Sequence, residues 1–150
     1  MGKYFNEQTK FKDVYNHKAL TKIKDALFIS NLLDSNVQNN WFIKEFGEAS
    51  HDDCIAYYDF LVDRCLNNEA EIVNFYSEEE KSLDNSKKDT FMLYINNPNS
   101  NKVAIIIPGG GYNAVCSYQE GYPFAYHFYH RGYSAFIVYY RVAPYAKMPN

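Results

Sequence analysis

The sequence predicts an α/β protein: a mostly parallel sheet with flanking helices, preceded by a helical N-terminal segment. Two observations carry this. Residues 103–140 read strand, glycine loop, helix, strand, a βαβ unit whose crossover should be right-handed. Ahead of them, Phe11, Val14, Tyr15, Ala19, Ile23, Ala26 and Leu27 recur at three- and four-residue spacing with Lys and Asp between, the period of a helix. The expected division is a helical N-terminal segment over 1–70 and an α/β part over 71–150.

Taken in order, Asn-rich turns at Ser35-Asn36 and Asn39-Asn40 interrupt the first helical region. Trp41-Phe42-Ile43 with Phe46 starts a second short apolar face, which Gly47 should end. Ser50 and Asp53 form a capping box, and acids in the first turn suit the positive end of a helix. That helix carries Cys54, Ile55, Tyr58, Leu61, Val62 and Cys65 on one face and ends near Asn67-Asn68. Ile72–Tyr76 and Thr90–Ile95 read as strands, with Glu78–Lys81 between them as a solvated helical turn. Asn96–Asn101 is a turn by local signals. Val103–Ile107, apolar and mostly β-branched, reads as a strand buried on both faces. Tyr118–Arg131 reads as a helix, with Pro123 in its first turn and Gly132 just past its end. Tyr118, Tyr122, Tyr126, Tyr129 and Tyr133 line one side of it as a packing face. Ser134–Tyr140 is the last strand, and it is expected to leave an open sheet edge through which the chain could self-associate.

Composition narrows the function classes. The 150 residues are 47% hydrophobic and 22% charged, an ordinary globular balance, with 18% aromatic from 15 Tyr, 11 Phe and a single Trp. A net charge of −3 gives no electrostatic case for nucleic acid or an anionic membrane as partner. No apolar run approaches the ~20 residues that span a bilayer, and the N-terminus lacks a signal-peptide core. Cys54, Cys65 and Cys116 have no C-x-x-C spacing, which fits free thiols in a reducing compartment and a cytoplasmic protein.

The functional question centres on Pro108-Gly109-Gly110-Gly111-Tyr112. Glycines leave backbone N–H groups uncovered, and such a loop after a parallel strand suits either a phosphate or the oxyanion of acyl transfer. For the phosphate, Gly109, Gly111 and Ala114 satisfy G-x-G-x-x-G/A, the mark of a dinucleotide site. In that motif a helix begins within the glycines and an acid ends the next strand, whereas here Val115–Ser117 intervene and the strand ends in Tyr140-Arg141. A P-loop is excluded, because no Gly-Lys-Ser/Thr follows.

The alternative rests on an ordered set: Pro108–Tyr112, Glu120-Gly121-Tyr122-Pro123, Arg131-Gly132-Tyr133, and a strand ending Tyr140-Arg141-Val142-Ala143-Pro144. Over about residues 70–150 this resembles the first half of an α/β-hydrolase, in the hormone-sensitive-lipase-like and acetylesterase branch. Pro108 stands where that branch usually has His, and Tyr145 where many members have Glu. The resemblance implies a serine carboxylesterase acting on small acyl or acetyl esters without a cofactor or metal. In it Gly110 and Gly111 donate to the oxyanion, while Gly109 and Tyr112 shape the loop beside the substrate. It also implies a nucleophile from a G-x-S-x-G elbow further along, so residues 1–150 alone should be inactive. The other readings kept open are a non-catalytic chain that binds an anion or a partner, and the dinucleotide domain.

Other nucleophiles and ligands fare worse. Ser134 in Gly132-Tyr133-Ser134-Ala135-Phe136 precedes a strand where an elbow serine follows one. Cys116 sits near the loop, whose amides could lower a thiol pKa, but it lacks an evident base, so packing is its expected role. His127, His130 and His51 lack further ligands at metal-binding spacing.

Overall fold

The computed structural model describes residues 2–27, 40–43 and 51–146, with the backbone alone at His51 and Asp52. The expected features at Ser35-Asn36, Asn39, Phe46, Gly47 and Ser50 fall outside these residues. The elements are α1 (Phe11–Tyr15), a 3-10 helix (Lys18–Leu27), α2 (His51–Leu66), β1 (Ala70–Asn74), α3 (Glu78–Leu83), β2 (Phe91–Ile95), β3 (Val103–Ile106), α4 (Tyr122–His130) and β4 (Ser134–Tyr139). Among the described residues no helix is long and apolar enough to cross a membrane.

The helical periodicity reports burial in the main, although Tyr15 and Ala19 on the first period are only half-buried. Phe11, Val14, Ile23, Ala26 and Leu27 are buried, as are Cys54, Ile55, Tyr58, Leu61, Val62 and Cys65 on α2. The Glu78–Lys81 turn is the start of α3, where the Ser77 hydroxyl accepts from Glu80 N–H at 3.2 Å and the Glu80 carboxylate accepts from Ser77 N–H at 2.9 Å. Residues of the helical segment and of the sheet share one core. Tyr122 and Tyr139 both donate their hydroxyls to Ala26 O, the latter at 2.6 Å, and the Tyr58 and Tyr122 rings meet edge to face at 5.9 Å. The Asp59 carboxylate anchors the N-terminus by accepting from the N–H of Lys3, of Tyr4 at 3.0 Å and of Phe5 at 3.1 Å.

The four strands form one sheet in the order β1-β2-β4-β3. β3 and β4 pair parallel, with Ile106 opposite Ile137, as a βαβ unit requires. β1–β2 and β2–β4 are antiparallel. The class is therefore α/β with a mixed sheet, where a mostly parallel one was expected.

Three further expectations are corrected. β1 begins two residues earlier than the apolar run Ile72–Tyr76, because its ladder runs from Ala70 opposite Ile95 to Asn74 opposite Phe91. Phe75 lies beyond the end of β1, past the first residue of β2, and is exposed. The strand at Val103 is not buried on both faces, since Val103 is 54% and Ile105 68% exposed. Nor is β4 the open edge: it lies between β2 and β3, and the edges are β1 and β3. The burial pattern follows from this. Leu93, Ile95, Ala135 and Ile137 are fully buried, whereas Tyr94 and Phe136, stacked at 4.4 Å, are half-buried on the face they share with Ile105.

Candidate functional site

β3 ends at Ile106, and the chain turns through the glycines at the edge of the sheet. Gly110 has φ +143° and Gly111 φ +61°, dihedrals that favour glycine. A Cβ on Gly110 would lie 2.0 Å from Ala114 O, so this position excludes a side chain on two counts. Tyr112 follows at φ +59°, an uncommon conformation for a bulky residue, and its side chain is exposed. Gly110 O accepts from the N–H of Asn113 at 3.1 Å and of Ala114 at 3.3 Å, closing the turn.

Four hydrogen bonds hold the loop. Gly109 N–H donates to Glu120 Oε2 at 2.5 Å, and Gly109 O accepts from Cys116 N–H at 2.9 Å. The Tyr140 hydroxyl donates to Pro108 O at 2.7 Å. Ala143 N–H donates to Tyr112 O, also at 2.7 Å. The Pro-Gly-Gly-Gly-Tyr, Glu-Gly-Tyr-Pro and Tyr-Arg-Val-Ala-Pro stretches thus meet in space. With Gly109 engaged, the N–H groups of Gly110, Gly111 and Tyr112 have no protein acceptor among the described residues. Backbone donors left open in this way can receive an anion.

Glu120 and Tyr140 were not singled out as loop partners from sequence. Their separations from Gly109 and Pro108, 11 and 32 residues, are set by the crossover. A signal for Tyr140 did exist: parallel pairing of Ile106 with Ile137 carries the residues just past both strands to the same end of the sheet.

The remaining candidates are accounted for structurally. The Cys116 thiol is pushed up from its ordinary value, first by burial and then by the Glu120 charge, so the loop amides do not activate it. The Ser134 hydroxyl is buried and accepts from Asn97 N–H at 2.9 Å. His127 and His130 are exposed beside the Tyr126 ring, and the described residues contain no group of three metal-ligating side chains. Tyr122 is buried against α2, and Tyr126 and Tyr129 meet Phe60 at 5.4 and 5.2 Å, a packing face. No helix starts within the glycines: a π-type turn, Ser117–Gly121, precedes α4. Arg141 reaches toward Ser86 at 3.5 Å. A separate cleft of about 780 Å³ is lined by Lys22, Asp25, Glu71, Asn74, Lys81 and Lys88, charges of both signs, and no loop glycine borders it.

Compared with known proteins, the chain matches no family model, no curated protein and no solved structure.

Proposed function

We propose that this chain is the oxyanion-loop part of a serine carboxylesterase of the α/β-hydrolase type, acting on acyl or acetyl esters in the cytoplasm. One observation carries the reading. Two successive glycine amides, Gly110 and Gly111, are left open at the end of a parallel strand while the loop around them is tied at Pro108, Gly109 and Tyr112. Preorganised amides of this kind stabilise charge that appears only as the ester carbonyl becomes tetrahedral. Attack by a serine hydroxyl from outside residues 1–150 forms the C–O bond and moves the carbonyl electron pair onto oxygen, while a general base, also from outside these residues, takes the hydroxyl proton. That oxygen accepts from Gly110 and Gly111; as the pair returns, the bond to the alcohol oxygen breaks, the base passes its proton to the departing alcohol, and water then releases the acid from the acyl-serine by the same path. One such donor typically contributes ~10²–10³ in rate.

Among the described residues β3 is an edge strand, which supports the same reading. A further parallel strand added there would end beside the glycines, the position an elbow serine needs. Cys54, Cys65 and Cys116 form no disulfide with one another, which accords with a reducing compartment.

The coding sequence beyond Asn150 tests the proposal. A continuing frame with strand, G-x-S-x-G and helix supports it, and a stop codon refutes it. Protein 1–150 is expected to leave p-nitrophenyl acetate at background, and turnover would reveal an overlooked nucleophile. The exposure of Val103 and Ile105 favours a second reading, a non-catalytic chain that pairs through β3. A clean monomer by light scattering at high concentration would count against it.

A further inference from the structure

Among the described residues, Glu120 is the carboxylate seated on the glycine loop. Its position is set by a closed backbone circuit. Glu120 N–H donates to Cys116 O at 2.9 Å, Cys116 N–H donates to Gly109 O at 2.9 Å, and Gly109 N–H donates to Glu120 Oε2 at 2.5 Å. The turn that brings Glu120 back is the π-type turn Ser117–Gly121, a geometry common at functional positions. No ion pair among the described residues neutralises it. A Cβ at Gly109 would approach Glu120 Oε2, the far end of a flexible side chain, to 2.9 Å, so a larger residue there would displace the carboxylate from its seat.

We infer that Glu120 is a specificity-determining and positioning residue, one that bars ligands already anionic from the glycine loop and leaves it to ligands that become anionic during reaction. The inference rests on the oxyanion reading of the loop. Consecutive open amides with no acid present would form a phosphate cradle. Glu120 occupies the first of them and adds a negative charge beside the other two. A phosphate brings persistent charge to the loop and there meets the like charge of the exposed Glu120 carboxylate, a repulsion that acts through solvent and weakens with salt. An ester carbonyl enters neutral and needs only Gly110 and Gly111 when its oxygen develops charge. The selectivity lies in the difference between the two ligands.

The test follows the backbone amides of the whole 150-residue chain by ¹⁵N NMR at constant ionic strength. In wild type, millimolar inorganic phosphate is expected to produce no saturable shift at Gly110 or Gly111. In Glu120→Gln the side-chain carbonyl still accepts from Gly109, so the Gly109 signal stays near its place, and phosphate should bind the loop at least about tenfold more tightly. Glu120→Ala should move the Gly109 signal and add it to the amides that respond. Glu120→Asp, too short to reach but still charged, should move Gly109 without gaining phosphate. Glu79→Gln, on the exposed face of α3, should change nothing. Equal phosphate binding by wild type and Glu120→Gln overturns the inference, as does a Gly109 signal unmoved in Glu120→Ala. If one variant fails to fold, the other two still decide. None of these outcomes touches the ester reading, which stands or falls on the elbow downstream.

Discussion

Alanine at Gly110 combines two costs on one residue, and their sum separates it sharply from its neighbour. At φ +143° a residue with a side chain is strained by about 1–3 kcal/mol. The added methyl would also sit 2.0 Å from Ala114 O and 2.7 Å from Ala114 C, both backbone atoms, so no change of rotamer relieves it. Moving Ala114 away strains the bonds that Ala114 and Asn113 donate to Gly110 O, at 3.3 and 3.1 Å, each worth ~0.5–1.5 kcal/mol net. The total is about 3 kcal/mol, capped there because the loop can open while the sheet stays folded. At Gly111 the Cβ meets nothing within 4 Å, and φ +61° alone costs about 1–2 kcal/mol. Urea unfolding followed by far-UV circular dichroism should therefore rank Gly110→Ala below Gly111→Ala by ~1–2 kcal/mol. Hydrogen exchange at Ala143, whose amide donates to Tyr112 O, should speed up in Gly110→Ala more than in Gly111→Ala. Equal losses for the two variants, with Ala143 equally protected, would refute the loop geometry.

The remaining predictions concern the core and the thiols. Tyr122→Phe and Tyr139→Phe should each cost about 1 kcal/mol or less, because the other hydroxyl still serves Ala26 O; the double variant should cost more than the sum, by ~1–2 kcal/mol, as a buried carbonyl is orphaned. A double-mutant cycle in urea measures this, and strict additivity would count against a shared acceptor. Burial pushes the Cys65 thiol from 9.0 up to about 11, so its folded value lies above its unfolded one. Its contribution to stability is complete below about pH 9 and lost as pH rises through about 11, a window in which buried Tyr58 and Tyr139, both raised well above 10.0, act in the same direction. Unfolding midpoints compared at pH 8 and pH 10.5 should fall, and Cys65→Ser should flatten the Cys65 share of that fall. Cys116, half-buried with its thiol raised, should react with iodoacetamide more slowly at pH 8 than a free thiol, and faster in Glu120→Gln; rapid labelling of wild type would restore Cys116 as a nucleophile.

Local pattern alone determined much of this molecule. The spacing of Cys54, Ile55, Tyr58, Leu61, Val62 and Cys65 marked the buried face of α2, and Gly132 beyond α4, at φ +82°, marked a helix end. The strand, glycine loop, helix, strand order was legible from 103 to 140, as was the candidate loop, because glycines, prolines and apolar periods act within a few residues of themselves. Tertiary structure decided the rest. An apolar run such as Val103–Ile107 reads alike in the middle of a sheet and at its edge, and only the order β1-β2-β4-β3 made it an edge and made β4 internal. The start of β1 was set by its partner β2, not by its own apolar residues. At the loop, no local signal paired Gly109 with Glu120 or Pro108 with Tyr140. Those contacts exist because the crossover folds two strand ends and a turn onto one side of the sheet, where a hydrogen bond depends on the path of the chain between the partners.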